Sequence, residues 1–328
     1  MKLTGDNSNR KTGFTIIELL TVMSIIIILI SLLAPALNRV KRYATEVKQK
    51  AQFHSLAVAL DLFNAEFEGY PDSSRKDSSN SDPTLALEYC GAMKLAEAMV
   101  GKDLKGFNPN SKFRRDGTID GTAATNLYPP KDTPSPAEYA ENIKSRKMYL
   151  ELERANAYQM ADIYDATAIT AAKFDASTFV LCDSYNRVTN KTTGKKMGMP
   201  ILYYKADQAK SAYPDSNVAP ATMQTNAISG MYTYNFNDNQ QLIDMGGTGG
   251  IPWAPLFVHP LASSGTTLEG KSVTADPKLG WPGLFYDIIR DKKIVTGDRP
   301  YRADSYILIS AGFDGEYGTK DDIYNFGD

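Results

Sequence analysis

A chain of 328 residues, 42% of them hydrophobic, can bury one large core or two small ones. Its formal net charge of -2 excludes the global basic field of a nucleic-acid binder, so no nucleic-acid partner is expected. Cys90 and Cys182 stand far apart, with no Cys-x-x-Cys and no flanking histidine, which argues against a zinc site or a redox dithiol. They pair if the head is exported, or remain as two buried thiols.

In chain order, residues 14–37 form an apolar run long enough to cross a bilayer. The basic flank of Lys2, Arg10 and Lys11 and the small residues of "LLAPAL" are also features of a secretory signal peptide. Glu18 and the continuation of the pattern past Pro35 argue against that alternative. Arg39, Lys41 and Arg42 place positive charge on the far side too, so charge counting leaves the orientation open. An acid at the bilayer centre costs about 2.5 to 3.5 kcal/mol, so Glu18 calls for a cationic partner or for snorkelling to the nearby interface. Beyond the span, Val40, Ala44, Val47, Ala51, Leu56, Leu60, Phe63 and Phe67 recur at helical spacing. They predict one helix of roughly 80 Å, with a kink or local melting at Pro35 and a stop at Gly69 before Pro71.

The opening "KTGFTIIELL" resembles the cleavage and methylation signature of type IV prepilins and type II secretion pseudopilins. The resemblance rests on a short basic leader ending in Gly13, then Phe14, then the acid Glu18, with a proline at Pro35. It implies cleavage between Gly13 and Phe14 by a prepilin peptidase and N-methylation of Phe14. The leader would be cytoplasmic and the bulk of the chain exported. It also implies a role for Glu18 in assembly, pairing with the N-terminal amine of a neighbouring subunit in a helical filament.

Further along, "DSSRKDSSNSD" at 72–82 and the long stretch at 106–136 read as mobile surface loops. "TLALEYCGAMKLAEAMVG" and "PAEYAENIKSRKMYLELERAN" read as two helices decorating a head. From about residue 177, "STFVLCDSY", "MPILYYKA", "MYTYNF" and "SYILISAG" read as strands. The expected fold class is α+β: a long N-terminal helix, transmembrane and then amphipathic, packed on a small antiparallel β-sheet with helical and loop insertions. With the resemblance, that is a pilin-like fold. Its parts are a leader at 1–13, a transmembrane or filament-core helix at 14–37, an amphipathic continuation at 38–68 and a head at 69–328. The likeness to pseudopilins is specific over 11–71 and about 303–326, whereas 72–176 is longer than a major pseudopilin needs.

Little points to catalysis. His54 and His259 lack any companion motif, "GGTGG" at 246–250 lacks the lysine of a phosphate loop and reads as a flexible turn, and "DGTIDG" at 116–121 reads as two tight turns. The C-terminal "ISAGFDGEYGTKDDIYNF" differs, because glycines draw Asp314, Asp321 and Asp322 together after a strand. Calcium wants six to eight oxygens on a backbone free to wrap around it. The major pseudopilin of type II secretion carries a similar calcium loop, so the resemblance implies calcium held by the Ala311 carbonyl, the Asp314, Asp321 and Asp322 carboxylates and an oxygen of Thr319. Without a cation the three acids would repel and hold the loop, 310–326, open.

The function implied is a structural subunit of the bacterial inner membrane, single-pass, its head periplasmic. It would polymerise with itself and other pseudopilins on an inner-membrane secretion platform into a pseudopilus. An extracellular type IV pilin is the alternative, and an anchored binding or enzymatic domain exported by the same route is a third reading.

Overall fold

The computed structural model describes residues 15–75, 88–131, 135–190, 192–214, 218–247, 259–263, 267–268, 271–272, 281–295 and 297–327. The chain divides into two compact units, Met1–Thr45 and Glu46–Asp328. The architecture is α+β, with a long N-terminal apolar helix and small antiparallel sheets.

The first helix, α1, spans Ile16–Phe67. Within the first unit its residues 16–44 are all exposed, including an unbroken series of Ile and Leu side chains, and this stretch is long and apolar enough to cross a membrane. The helix continues through Pro35, which itself donates no backbone bond, so the local melting expected there does not occur. At the other end the left-handed position falls on Glu68 (φ 53°), one residue before the glycine predicted to supply it.

In the second unit α1 buries Gln49, Gln52, Phe53, Leu56, Ala59, Leu60 and Phe63, a seam at helical spacing. Val47 and Ala51, apolar and in the predicted series, are exposed. Two glutamines replace them at the interface because they reach the backbone of the next layer: Gln52 Nε2 donates to the Cys182 carbonyl at 2.9 Å, and Gln49 Oε1 accepts from Ser184 N at 2.8 Å.

The following helix, α2 (Gly91–Val100), has every residue buried, so it is a core element and not the surface decoration its sequence predicted. The segment at 136–156 is not one helix but α3 (Pro136–Lys144) and α4 (Leu152–Ala155), separated where Lys147 pairs with the backbone of Phe107. Next come β1 (Ala157–Gln159), α5 (Met160–Ile163), α6 (Ala166–Ala171), β2 (Phe179–Leu181), β3 (Val188–Thr189), β4 (Lys196–Met197) and β5 (Leu202–Lys205). The chain continues through α7 (Pro220–Ile228), α8 (Asn237–Gly247), β6 (Thr267–Leu268), β7 (Lys271–Ser272), α9 (Gly283–Ile289), β8 (Tyr306–Ser310) and β9 (Ile323–Tyr324). "MYTYNF" is not a strand; it makes a single bridge, Tyr232 to Ala212, and folds as turns. Gly246 and Gly247 close α8 instead of forming a turn, and 248–250 lie outside the described residues, as do 76–82 of the first predicted loop.

The central sheet is antiparallel in the order β5-β8-β9, with Leu202 opposite Ile309 and Ser310 opposite Ile323. β5, with the preceding Ile201, and β8 alternate faces with period two. Ile201, Tyr203, Tyr306 and Leu308 join α1 and the C-terminal half of α2 in one apolar cluster. Leu202, Tyr204, Ile307 and Ile309 join α8 and α9 in the other. Both faces are therefore covered, and every residue of β8 is buried. The 106–131 segment is also packed, burying Phe107, Arg114, Leu127 and Tyr128, and is not a surface loop throughout.

Candidate functional site

Gly13 and Phe14, the predicted processing pair, lie outside the described residues. Glu18 sits in the first turn of α1, where its carboxylate accepts hydrogen bonds from Thr15 N at 2.9 Å and Thr15 Oγ1 at 2.7 Å. Glu18 N donates back to Thr15 Oγ1 at 3.3 Å. This reciprocal arrangement is a capping box, and its Thr-x-x-Glu signal was present in the sequence. Pro35 lies within the helix, with exposed neighbours on both sides.

The C-terminal loop brings the predicted oxygen donors together. It leaves β8 at Ser310 and turns at Gly312, whose φ of 65° suits glycine; a Cβ there would stand 2.1 Å from the Asp321 carbonyl oxygen. Asp314 N donates to Asp321 Oδ2 at 2.8 Å, and Thr319 Oγ1 donates to Asp321 Oδ1 at 2.7 Å and to Asp322 Oδ1 at 3.5 Å. Asp322 is buried and its Oδ2 accepts from Gly318 N at 2.7 Å and from the Tyr324 hydroxyl at 3.0 Å. Asp314, Thr319, Asp321 and Asp322 thus share one turn, with Gly312 against the Asp321 backbone. The loop is closed, not held open by repulsion. Burial pushes the Asp314 carboxyl up to about 6, and the neighbouring Asp321 carboxyl adds to it. Burial also pushes Asp322 well above the ordinary range, with Asp314 and Asp321 adding to the effect. Burial works on Asp321 in the same sense, but hydrogen bonds from Thr319 and Asp314 bring it below the usual value. A carboxyl that keeps its proton removes the like-charge repulsion that would have opened the turn.

The oxygens are calcium's preferred donors, but they are aimed at N–H and O–H groups. Among the described residues no group of three or more His, Cys, Asp or Glu side chains is arranged to hold a metal ion. The donor set therefore suits calcium chemically, while a coordination shell would require the carboxylates to turn away from their present partners.

Behind the loop lies a feature the sequence did not single out. Ser310 Oγ donates to Asp183 Oδ2 at 3.0 Å, and Asp183 Oδ1 accepts from Tyr185 N at 3.1 Å and Met199 N at 3.3 Å. Burial pushes this carboxyl up to about 7. The partners are 127 positions apart, so no local spacing could have shown the pair. His259 is buried against the same loop, where its Nδ1 accepts from Tyr317 N at 3.1 Å, and burial lowers its imidazole to about 3. Cys90 and Cys182 are free buried thiols, and burial pushes Cys90 up to about 12. "DGTIDG" folds as two turns in which Asp116 and Asp120 accept from Thr118 N and Thr122 N at 2.9 and 3.0 Å.

No family model, curated protein or solved structure matches this chain.

Proposed function

We propose that this chain is a pseudopilin-like structural subunit. It would be inserted in the inner membrane as a precursor, cut between Gly13 and Phe14 by a prepilin peptidase, methylated on Phe14, and polymerised into a periplasmic pseudopilus for type II protein secretion. The observation that carries the reading is the join of "KTGFTIIELL" to α1: the signature leads directly into a helix that is apolar and exposed to residue 37. The same helix then supplies the buried seam of an α+β unit, the division of labour a filament-forming subunit needs. Such a subunit takes a pilin-like fold, its leader cytoplasmic and its head periplasmic.

In this reading calcium binds the C-terminal loop through the Ala311 carbonyl, Thr319 and the three aspartates. Support comes from three neighbouring carboxyls, two of them raised first by burial and then by one another, and a divalent cation would relieve the mutual part. The extracellular pilin alternative is less favoured, since classical pilins tend to close their C-terminal region with a disulfide, whereas both cysteines here are free and far upstream.

The test is the mature N-terminus. Mass spectrometry of the membrane-extracted protein is expected to find a methylated Phe14, and Gly13 replaced by a bulky residue is expected to leave the full-length precursor. A mature terminus elsewhere, for example after Ala36, would remove the assignment.

A further inference from the structure

The second unit carries a cleft of about 500 Å3 that the filament reading does not use. One wall is the end of α1 with the following 68–74 segment, another is the end of β5 with 206–209, and a third is the turn at 230–235. Its floor is a closed lattice of polar bonds. Ser73 Oγ donates to Asp238 Oδ2 at 2.5 Å and accepts from Lys205 N at 3.0 Å, while the buried Lys94 ammonium holds Asp72 Oδ2 at 2.5 Å and the Ser74 carbonyl at 2.6 Å. Those groups satisfy one another, so the floor is rigid before any ligand arrives.

The walls differ. Among the described residues, the side chains of Asn64, Glu68 and Lys205 make no hydrogen bond or ion pair. Gln208 spends only its Nε2, on the Asp304 carbonyl at 2.6 Å, which leaves Oε1 for a ligand. Beside them the Tyr70 ring is half-buried, fixed edge-on to Tyr306 at 4.8 Å and by its hydroxyl to Asp61 at 3.2 Å. The cleft thus offers planar amide and carboxylate groups able to take two adjacent hydroxyls each, one ammonium, and one fixed aromatic wall. Its charges are mixed: Asp72 is neutralised by Lys94, and Lys205, Glu68 and Asp207 line the cleft together. No field of one sign selects an ion, and the polar lining does not suit the apolar ligands that most pockets hold.

We propose that this cleft binds a neutral polyhydroxylated ligand, a short saccharide, with its hydroxyls on Asn64, Glu68, Lys205 and Gln208 and one ring face against Tyr70. The rigid floor and the pre-fixed tyrosine lower the ordering cost of binding such a ligand. The inference concerns this unit alone and stands or falls separately from processing and polymerisation.

The experiment uses the full chain in a polyoxyethylene detergent, which has no sugar headgroup. Saturation-transfer NMR is run with maltose, cellobiose, lactose and N,N'-diacetylchitobiose, and with arginine and inorganic phosphate as charged probes. Transfer to at least one disaccharide is expected. The double variant Asn64→Ala/Gln208→Ala, neither residue being buried, is expected to weaken that binding at least tenfold at an unchanged melting temperature. Absence of transfer to all four sugars would overturn the proposal. So would sugar binding unchanged in the double variant, and so would transfer to arginine or phosphate alone.

Discussion

Within the chain the Glu18 carboxylate already has a partner, the Thr15 cap, so its place in an apolar run has two separable causes. Capping satisfies orphan N–H groups at the helix start, and glutamine at the same position can do that nearly as well. Pairing with a neighbour's amine needs the charge. Glu18→Ala should therefore insert normally, having lost a group costly to bury, and fail in filament assembly. Glu18→Gln separates the causes: it keeps the cap and is expected to assemble as poorly as the alanine variant, scored by filament yield in electron micrographs. Wild-type yield from the glutamine variant would assign Glu18 to the cap alone. The capping box was legible in the four residues Thr15 to Glu18, because both partners lie within one turn.

At the scale of elements, α2 and the C-terminal loop show opposite ways of burying charge. In α2, Lys94 is 1% exposed and meets Asp72 at 2.5 Å, a pair whose partner lies before the helix in sequence. Removing the lysine leaves the half-exposed Asp72 carboxylate without its counter-ion, at a cost that water discounts to about 1 to 3 kcal/mol. Lys94→Met should lower the urea midpoint accordingly, and adding Asp72→Asn should recover part of the loss; no recovery would mean that Lys94 acts through packing rather than charge. In the loop the acids have each other. Calcium, by binding the folded chain alone, should raise the melting temperature, by about 2.7 kcal/mol of stabilisation at a hundredfold excess over Kd. Magnesium should do less, because it holds its water in a tight octahedron. Replacing Asp321 and Asp322 with alanine should abolish the calcium response, and a calcium-indifferent melt of the unmodified chain would refute the site. Sequence periodicity read α2 as a helix but not as core, since a buried lysine and a buried glutamate look like a solvated face until their partners, Asp72 for one and the Tyr89, Ser111 and Tyr128 hydroxyls for the other, are known.

Across the whole molecule, buried carboxyls of the second unit set a pH dependence, Asp183 and Asp238 among them. Burial pushes Asp183 up to about 7 and Asp238 up to about 8, whereas an unfolded chain ionises such groups near about 4. Below about pH 4 both states hold the protons and these groups add no slope. Between about pH 4 and the folded values the unfolded chain has released protons that the fold still holds, so stability falls as pH rises, then levels off. Asp183→Asn keeps an acceptor for Tyr185 N and Met199 N and can donate to Ser310, so it resembles the protonated form. Its melting temperature is expected to fall less than that of the unmodified chain between about pH 5 and pH 8. An unchanged slope would show that Asp183 does not carry the proton.

The sequence by itself determined what depends on near neighbours: the apolar span, the length of α1, the strands at 179–181, 202–205 and 306–310, and the acid-rich turn after the last of them. Each is written in residues a few positions apart, where periodicity and turn chemistry act. Only the tertiary structure decided which side of α1 is buried, because Gln49 and Gln52 are preferred over Val47 and Ala51 through carbonyl and amide groups more than a hundred residues away. It likewise decided that α2 is core, that "MYTYNF" folds as turns beneath α9, and that Asp183 meets Ser310 and Ser73 meets Asp238. The physical reason is common to all of them: a buried polar group is stable only beside a partner, and here the partner is supplied by a distant part of the chain.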